Sequence, residues 1–90
     1  MKITALLIND QDNVVTVIKE LKVGEEAVYL ADEGYAAVTS TGVPAYHKVA
    51  CKDIGAGEDI VKYGQVMAVA TCKIKAGEHV HTHNVKSKVQ

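Results

Sequence analysis

The 90-residue chain contains no tryptophan and no phenylalanine, and its four aromatic residues are all tyrosines. Valine and alanine dominate its apolar residues. Because β-branched side chains pack well on a pleated surface, this composition favours strands over helices. A short chain with so little aromatic volume builds a modest core. We therefore expect the domain to depend on a partner or on self-association for part of its stability.

An excess of one charge sign is also missing. Ten basic and eleven acidic residues are interspersed and give a formal net charge of −1. Without a basic stripe, nucleic acid is not an expected partner. No apolar run approaches the roughly 20 residues that cross a bilayer, and the N-terminus lacks the pattern of a signal peptide. These absences predict a cytoplasmic protein that does not contact a membrane.

Cysteine is scarce, with only Cys51 and Cys72. They do not form a C-x-x-C pair, and each lies in a segment rich in valine and alanine. Disulfides are uncommon in the cytoplasm, so the two thiols are expected to be reduced. We predict that both are buried and chemically inert.

One short pattern occurs three times, aligned on Gly24, Gly57 and Gly77. Each copy has an aliphatic residue three positions before the glycine, a glutamate just after it and an apolar residue at plus three. Glycine supplies the positive φ of a tight turn, so each copy predicts a strand, a corner and a second strand. The uneven spacing of 33 and then 20 residues favours one compact body over an open solenoid.

Residue alternation and turn residues predict a series of strands. These cover residues 14–18, 27–30, 36–39, 47–52, 59–62, 66–71 and 79–83, with a hairpin tip at 32–34. A helix over 14–22 is the alternative for the first segment, but its β-branched residues argue against it. The prediction is one all-β domain spanning residues 1–90, built of short strands with tight glycine corners. It ends in a loose polar tail from about residue 86.

The segment GEHVHTHN, residues 77–84, places His79, His81 and His83 at alternate positions, and His47 is the one remaining histidine. Alternate residues of a strand share a face, so a His-x-His pair can chelate Zn²⁺, Fe²⁺ or Mn²⁺. At most two of the three can bind one ion unless the strand bends. The spacing alone leaves open a metal site, an acid/base site and a row of solvent-exposed histidines.

Two lysines and a tyrosine are further candidates. Lys48 and Lys62 could pair with the carboxylate of an acidic substrate. Tyr63 precedes Gly64, which indicates a corner where another molecule can approach the backbone closely. The alternative for each is an ordinary surface side chain. The chain has no glycine-rich phosphate loop and no H-E-x-x-H motif, so it does not look like a complete enzyme by itself.

Read together, HKVACKDIGAGEDIVKYG and AGEHVHTHN resemble the small subunit, or N-terminal domain, of the altronate and galactarate dehydratase family. That domain is similar to the SAF-type β-clip fold. The resemblance covers residues from about 12 to 84, and 29–43 matches nothing in it. Residues 65–68 (QVMA) depart from a Pro-Ile-Gly-like turn of the family, and residues 44–46 (PAY) depart from a glycine-rich or aliphatic stretch.

The resemblance implies the small subunit of a two-part, metal-dependent hydro-lyase that dehydrates a sugar acid, with an altronate-like hexonate as the leading substrate. It implies Fe²⁺ or Mn²⁺ shared with a large catalytic subunit, and a chain that is inactive alone and able to form a homodimer. His81 and His83 become candidate metal ligands or acid/base groups, with His79 ranked lower. The residues implied for the substrate or subunit contact are His47, Lys48, Lys62, Tyr63 and Asn84.

Two other functions remain open. The chain could be the small subunit of (2R)-sulfolactate sulfo-lyase, in which sulfite is the leaving group. It could also be a non-catalytic β-clip module that binds a small acidic ligand or a protein. A metal-storage domain is disfavoured because the sequence contains a single histidine cluster.

Overall fold

The computed structural model describes residues 2–87, and in this range it contains nine short strands and no helix. The strands are β1 (Ala5–Leu6), β2 (Val14–Val17), β3 (Glu26–Ala31), β4 (Gly34–Thr39), β5 (Lys48–Ala50), β6 (Asp59–Lys62), β7 (Gln65–Ala70), β8 (His79–Val80) and β9 (Val85–Ser87). The all-β prediction is confirmed. The alternative of a helix over 14–22 is wrong, because β2 pairs with strands on both sides. The described residues include no helix that could span a membrane.

Antiparallel pairing arranges these strands in three small sheets. The orders are β1-β2-β5-β8, β3-β4 and β6-β7-β9. The hairpin predicted around residues 32–34 is present, since β3 and β4 pair from Glu26–Thr39 to Ala31–Gly34. The strand predicted over 59–62 is confirmed as β6 with the same bounds.

Two predictions near the C-terminus need correction. The strand expected over 79–83 ends at Val80, where the chain turns. The loose tail expected from about residue 86 is also wrong for Lys86 and Ser87, because both lie in β9 and pair with β7. Residues 88–90 lie outside the described part of the chain.

Buried apolar side chains form two clusters of equal size. The first contains Ala5, Val15, Val17, Leu21, Ala27, Tyr29, Val43 and Val49, and the second contains Val14, Ala50, Ile54, Ile60, Ala68, Ala70, Ile74 and Val80. Leu21 bridges to Val43 in the first half, as Ile54 bridges to Ile74 in the second. The domain therefore consists of two similar halves, each with its own small core.

The repeated corner occurs four times among the described residues. Gly24, Gly57 and Gly77 have φ angles of 91°, 84° and 91°, and Tyr46 occupies the equivalent position of a further corner with a φ of 68°. In every corner the next residue donates its backbone N–H to the carbonyl oxygen three positions earlier, at 2.9–3.2 Å. The sequence pattern revealed three corners and missed this one because a tyrosine stands in the glycine position.

Three corners share a second hydrogen bond that the corner at Tyr46 lacks. The carboxylates of Glu25, Glu58 and Glu78 accept the backbone N–H groups of Lys22, Gly55 and Lys75. At the Tyr46 corner the donor position is Pro44, which has no N–H, and the glutamate position is His47. This turn therefore makes no demand on the side chain of His47, which is free for another role.

The cysteines differ from the prediction of two buried thiols. Cys72 is exposed, so the prediction is wrong for this residue, while Cys51 is half-buried. The Cys51 thiol lies 3.7 Å from the carbonyl oxygen of Asp12. Burial is the main cause that raises the pKa of the Cys51 thiol, which favours its neutral form.

Candidate functional site

The four histidines converge because two strands pair. In the β5–β8 pair, Val49 lies opposite His79, and His47 directly precedes β5. The Nδ1 atom of His47 consequently lies 3.0 Å from the Nε2 atom of His79. One ring nitrogen from each of His47, His79 and His81 can be chosen so that all three atoms lie within 4.8 Å of one another. We call these three residues the histidine trio.

A turn after β8 brings His81 into the trio. The backbone N–H of Asn84 donates to the carbonyl oxygen of His81 at 3.0 Å, which closes the turn. Of the three alternating histidines, His79 and His81 thus belong to the trio and His83 does not. The rings of His79 and His81 are stacked, with centroids 5.6 Å apart and an angle of 8° between their planes.

Asn84 holds this turn from the inside. Its side chain is 1% exposed, and its Nδ2 group donates to the carbonyl oxygen of His79 at 2.9 Å. Its Oδ1 atom accepts the backbone N–H of His81 at 3.0 Å. Both polar groups are thus engaged, so in this structure Asn84 orients two histidines. A contact between Asn84 and a substrate stays a prediction from the resemblance, and in this structure the side chain faces the turn.

His83 lies beside the trio. Its side chain is exposed, and its ring centroid lies 5.5 Å from that of His79 at a tilt of 46°. The structure therefore places His81, of the two histidines favoured by the sequence, together with His47 and His79. The sequence ranked His79 below His81 and His83 and assigned His47 to the substrate or subunit contact, because the pairing of β5 with β8 cannot be read from residue spacing.

The surroundings of His79 favour its neutral form. Burial is the largest cause that lowers its pKa, followed by the nearby imidazoles of His47, His83 and His81 and by Lys48. A neutral imidazole can accept a proton or bind a metal ion. His79 is therefore suited to either task.

A cavity of about 270 Å³ adjoins the trio. Its lining residues are Lys48, Ile60, Lys62, Met67, Ala68, Val80, His81, Thr82, Val85 and Ser87. His81 belongs both to the cavity and to the trio. The cavity thus combines apolar walls with two lysines and one imidazole, which suits a small acidic ligand.

Lys62 supplies a positive charge to this cavity from a largely buried position. It is 9% exposed, and its Nζ atom donates to the hydroxyl of Thr16 at 2.7 Å. The same Nζ atom lies 4.1 Å from the centroid of the Tyr63 ring. Both of these partners are uncharged and do not neutralise the ammonium. The positive charge of Lys62 would therefore stabilise an anionic ligand bound in the cavity.

Tyr63 is positioned by a residue that the sequence did not indicate. The Asp12 carboxylate, 2% exposed, accepts the backbone N–H groups of Tyr63 at 3.0 Å and Gly64 at 2.8 Å. These bonds fix a turn with positive φ at both positions, 56° and 72°. About fifty residues separate Asp12 from this turn, so its role is invisible in the local sequence.

The comparisons with known proteins agree with these observations. The profile of the altronate/galactarate dehydratase SAF domain matches residues 3–88. Altronate dehydratase of Bacillus subtilis (strain 168) is 33% identical over 82 residues, which are 91% of this chain and 16% of that protein. The Escherichia coli (strain K12) enzyme of the same name is 32% identical over 78 residues, 87% of this chain and 15% of that protein.

A second group of relatives is shorter. The (2R)-sulfolactate sulfo-lyase subunit alpha of Chromohalobacter salexigens is 41% identical over 46 residues, which are 51% of this chain and 49% of that subunit. The chain thus corresponds to a small part of the altronate dehydratases and to about half of this subunit. The match over residues 3–88 confirms the resemblance found in the sequence. The chain belongs to the altronate/galactarate dehydratase SAF domain family.

Proposed function

We propose that this chain is the small, SAF-type component of a two-part cytoplasmic hydro-lyase that dehydrates a sugar acid, with an altronate-like hexonate as the leading substrate. The observation that carries the proposal is the single cavity that joins His81 to Lys48 and Lys62. Support for a two-part enzyme comes from the sulfo-lyase relatives, which are named as the alpha subunits of their enzymes.

The side chains divide the work according to their charge. The ammonium groups of Lys48 and Lys62 bind the carboxylate of the acid, and the apolar walls of the cavity keep water away from it. In the dehydration, the C–H bond next to the carboxylate and the C–O bond of the β-hydroxyl break. Because His81 is a metal ligand in this proposal, a base on the large component accepts the proton from carbon. The electron pair left on carbon forms a C=C bond as the hydroxide departs, and the hydroxide takes up a proton to leave as water.

The proposal includes a divalent metal, Fe²⁺ or Mn²⁺, which this chain would share with the large component. Imidazole nitrogens are ligands that such ions accept, and the histidine trio provides them beside the cavity. When bound, the ion supplies Lewis-acid stabilisation of negative charge on the substrate oxygens. The role of this chain is to hold ligand atoms and the acid in one place, with the bulk of the catalytic groups on the large component.

A sulfo-lyase acting on (2R)-sulfolactate is the second candidate. Two observations favour it: the 41% identity to the subunit alpha of two such enzymes, and two lysines lining one cavity. A compact acid with two anionic groups would engage both ammonium groups. The non-catalytic β-clip module is the third candidate, and it requires no second component.

The test is reconstitution with a large component. The B. subtilis altronate dehydratase lacking the region matched by this chain serves as partner, and both acids are offered anaerobically with Fe²⁺ or Mn²⁺. We expect release of a 2-keto-3-deoxy acid from altronate, and loss of this activity in Lys62→Gln. Lys86→Gln, an exposed lysine on β9, is the matched control. Sulfite release instead of dehydration would favour the second candidate.

The proposal fails if the chain binds neither acid and stimulates no large component. That outcome is checked with the isolated chain as well, by following backbone amide shifts while altronate or sulfolactate is added. Shifts confined to residues that line the cavity, without turnover in any mixture, would support the non-catalytic module.

A further inference from the structure

We propose that His47, His79 and His81 are the ligands that this chain supplies to one divalent metal ion, that the isolated chain binds the ion through them, and that His83 is not a ligand. The use of the metal rests on the proposed function, whereas the site itself rests on the geometry of the chain. The sequence pointed to His81 and His83 as the ligand pair. In the structure His81 meets His79 of the same segment and His47 of a distant one, and His83 lies outside this set.

The closest pair of nitrogens has the separation that a metal ion requires. Two ligand atoms about 2.1 Å from an ion and at right angles to each other are about 3.0 Å apart. The Nδ1 atom of His47 and the Nε2 atom of His79 are 3.0 Å apart. One ring nitrogen of the exposed His81 lies within 4.8 Å of a ring nitrogen of each of the other two residues. Binding of one ion by all three requires the His81 side chain, which lies at the surface, to move closer.

Three different parts of the backbone hold the three rings. His47 follows the Tyr46 corner, His79 lies in β8, and His81 begins the turn that Asn84 closes. The buried Asn84 side chain bonds to the backbone of both His79 and His81. Ligands fixed by separate and fully hydrogen-bonded elements are preorganised, which distinguishes this trio from a flexible row of surface histidines.

The corner before His47 carries the clearest sign of a functional constraint. Tyr46 has a φ of 68° and is 76% exposed, whereas the equivalent positions of the other corners are glycines. A non-glycine residue in this conformation is strained, and such strain persists most often at functional sites. Pro44 removes the N–H that a glutamate would otherwise bind, so a histidine can replace the glutamate at no cost to the turn.

His83 lies in the same exposed turn as His81 but outside the trio, because it does not belong to the set of nitrogens that lie within 4.8 Å of one another. Three histidines leave coordination positions for other ligands, as in facial sites of non-haem iron enzymes. Because His81 also lines the cavity, an acid bound there would lie next to the centre.

The experiment measures metal binding by the isolated chain, produced without a histidine tag. A Cys72→Ser background removes the exposed thiol as a competing ligand. Mn²⁺ is titrated and its free concentration followed by electron paramagnetic resonance, and Fe²⁺ is titrated anaerobically by calorimetry. We expect one equivalent to bind. Each of His47→Ala, His79→Ala and His81→Ala should raise the Kd at least about tenfold.

His83→Ala is the matched control, because it removes the same ring from the same turn. Its Kd should stay within about threefold of the parent value, well below the ligand effect. Equal losses in all four variants would indicate an unspecific histidine patch and overturn the proposal. If His47→Ala still binds the metal and His83→Ala does not, the ligands are His81 and His83, as the sequence suggested, and the proposal is wrong. No binding of either ion would leave a hydrogen-bonded His47–His79 pair without a metal.

Thermal unfolding of each variant shows whether the fold is intact, so a lost site is separated from a lost structure. Failure of this inference is also distinguishable from failure of the proposed function. If the trio binds metal but no mixture shows lyase activity, the proposed metal site stands and the proposed function is wrong. If a reconstituted enzyme is active but the isolated chain binds no metal, the proposed metal site is wrong.

Discussion

The side-chain carboxylate of Glu25 accepts a hydrogen bond from the backbone N–H of Lys22, with 2.7 Å between the two atoms. The same bond recurs at Glu78 and Lys75. These contacts show that the glutamate of the repeated corner has a structural task. At the Tyr46 corner this bond cannot form, because Pro44 stands at the donor position and His47 at the glutamate position.

Substitutions at equivalent corner positions should therefore differ in their effect on stability. Glu25→Ala removes the acceptor of the Lys22 N–H and should lower the free energy of unfolding by about 1 kcal/mol. His47→Ala removes no such bond from its corner and loses only the contact with the His79 ring, so it should lower the free energy of unfolding by less than Glu25→Ala does. Urea unfolding of both variants measures the difference. Equal losses would mean that His47 also stabilises its corner.

Tyr46→Gly should make the chain more stable. The left-handed backbone conformation costs a non-glycine residue about 1–2 kcal/mol, and Tyr46→Gly removes this cost. Glycine also raises the entropy of the unfolded chain, which lowers stability by about 0.5–1 kcal/mol. The net gain in the free energy of unfolding is on the order of 0.5–1 kcal/mol, since the exposed ring contributes little packing. Gly24→Ala is the reciprocal change, with a φ of 91° and no atom near the new Cβ, and should destabilise. A less stable Tyr46→Gly variant would disprove strain at this corner.

The strands and three corners were predictable because their signals are local. Alternation of apolar residues and a glycine at each turn identify β3, β4, β6 and β7 within one or two residues. The corner at Tyr46 escaped because the glycine signal is replaced by a residue that rarely adopts positive φ. The end of β8 escaped because alternation continues to His83, while the buried Asn84 side chain decides where the strand stops.

The site was only partly predictable because its contacts join distant segments. Lys62 and Thr16 are 46 residues apart, and His47 and His79 are 32 apart. No period or motif in one segment shows which other segment will pair with it. The sequence indicated histidines and lysines as candidates for the site, and the pairing of β5 with β8 decided which of the histidines meet.

Asn84→Ala should weaken both the fold and metal binding. The change removes the acceptor of the His81 N–H and the donor to the His79 carbonyl in a buried setting, and we expect a loss of about 2 kcal/mol in the free energy of unfolding. With the turn no longer fixed, the Kd for Mn²⁺ should rise by about tenfold. Urea unfolding and Mn²⁺ titration measure the two effects. Unchanged affinity in a destabilised variant would show that the turn does not position the trio.

The two cysteines should react with iodoacetamide at very different rates. Cys72 is exposed, whereas burial raises the pKa of the half-buried Cys51 thiol and lowers its thiolate fraction at any given pH. Mass spectrometry of a time course at pH 8 should show Cys72 modified first. Equal rates of modification at Cys51 and Cys72 would contradict the burial of Cys51.

The same burial makes the stability of the fold depend on pH. Because the folded-state pKa of Cys51 is raised, its neutral thiol stabilises the fold below the ordinary thiol pKa. That contribution disappears as the pH rises through the raised value.

The hydroxyl of Thr16 should control acid binding through Lys62. Thr16→Val keeps the volume of the side chain but removes the acceptor 2.7 Å from the Lys62 Nζ atom. The largely buried ammonium then loses its hydrogen-bond acceptor, so we expect a loss of about 1–3 kcal/mol in stability and weaker binding of altronate or sulfolactate. Thr16→Ser should restore both, because its hydroxyl can accept the same bond.

A double-mutant cycle separates this positioning role from ordinary packing. In a Lys62→Met background the charge is gone, and Thr16→Val should then cost far less stability than it does in the parent chain. Amide shifts during titration with the acid give the affinity of each variant, and urea unfolding gives its stability. If Thr16→Val costs the same in both backgrounds, the hydroxyl acts independently of Lys62. The ammonium would then owe its position in the cavity to the Tyr63 ring and the surrounding walls.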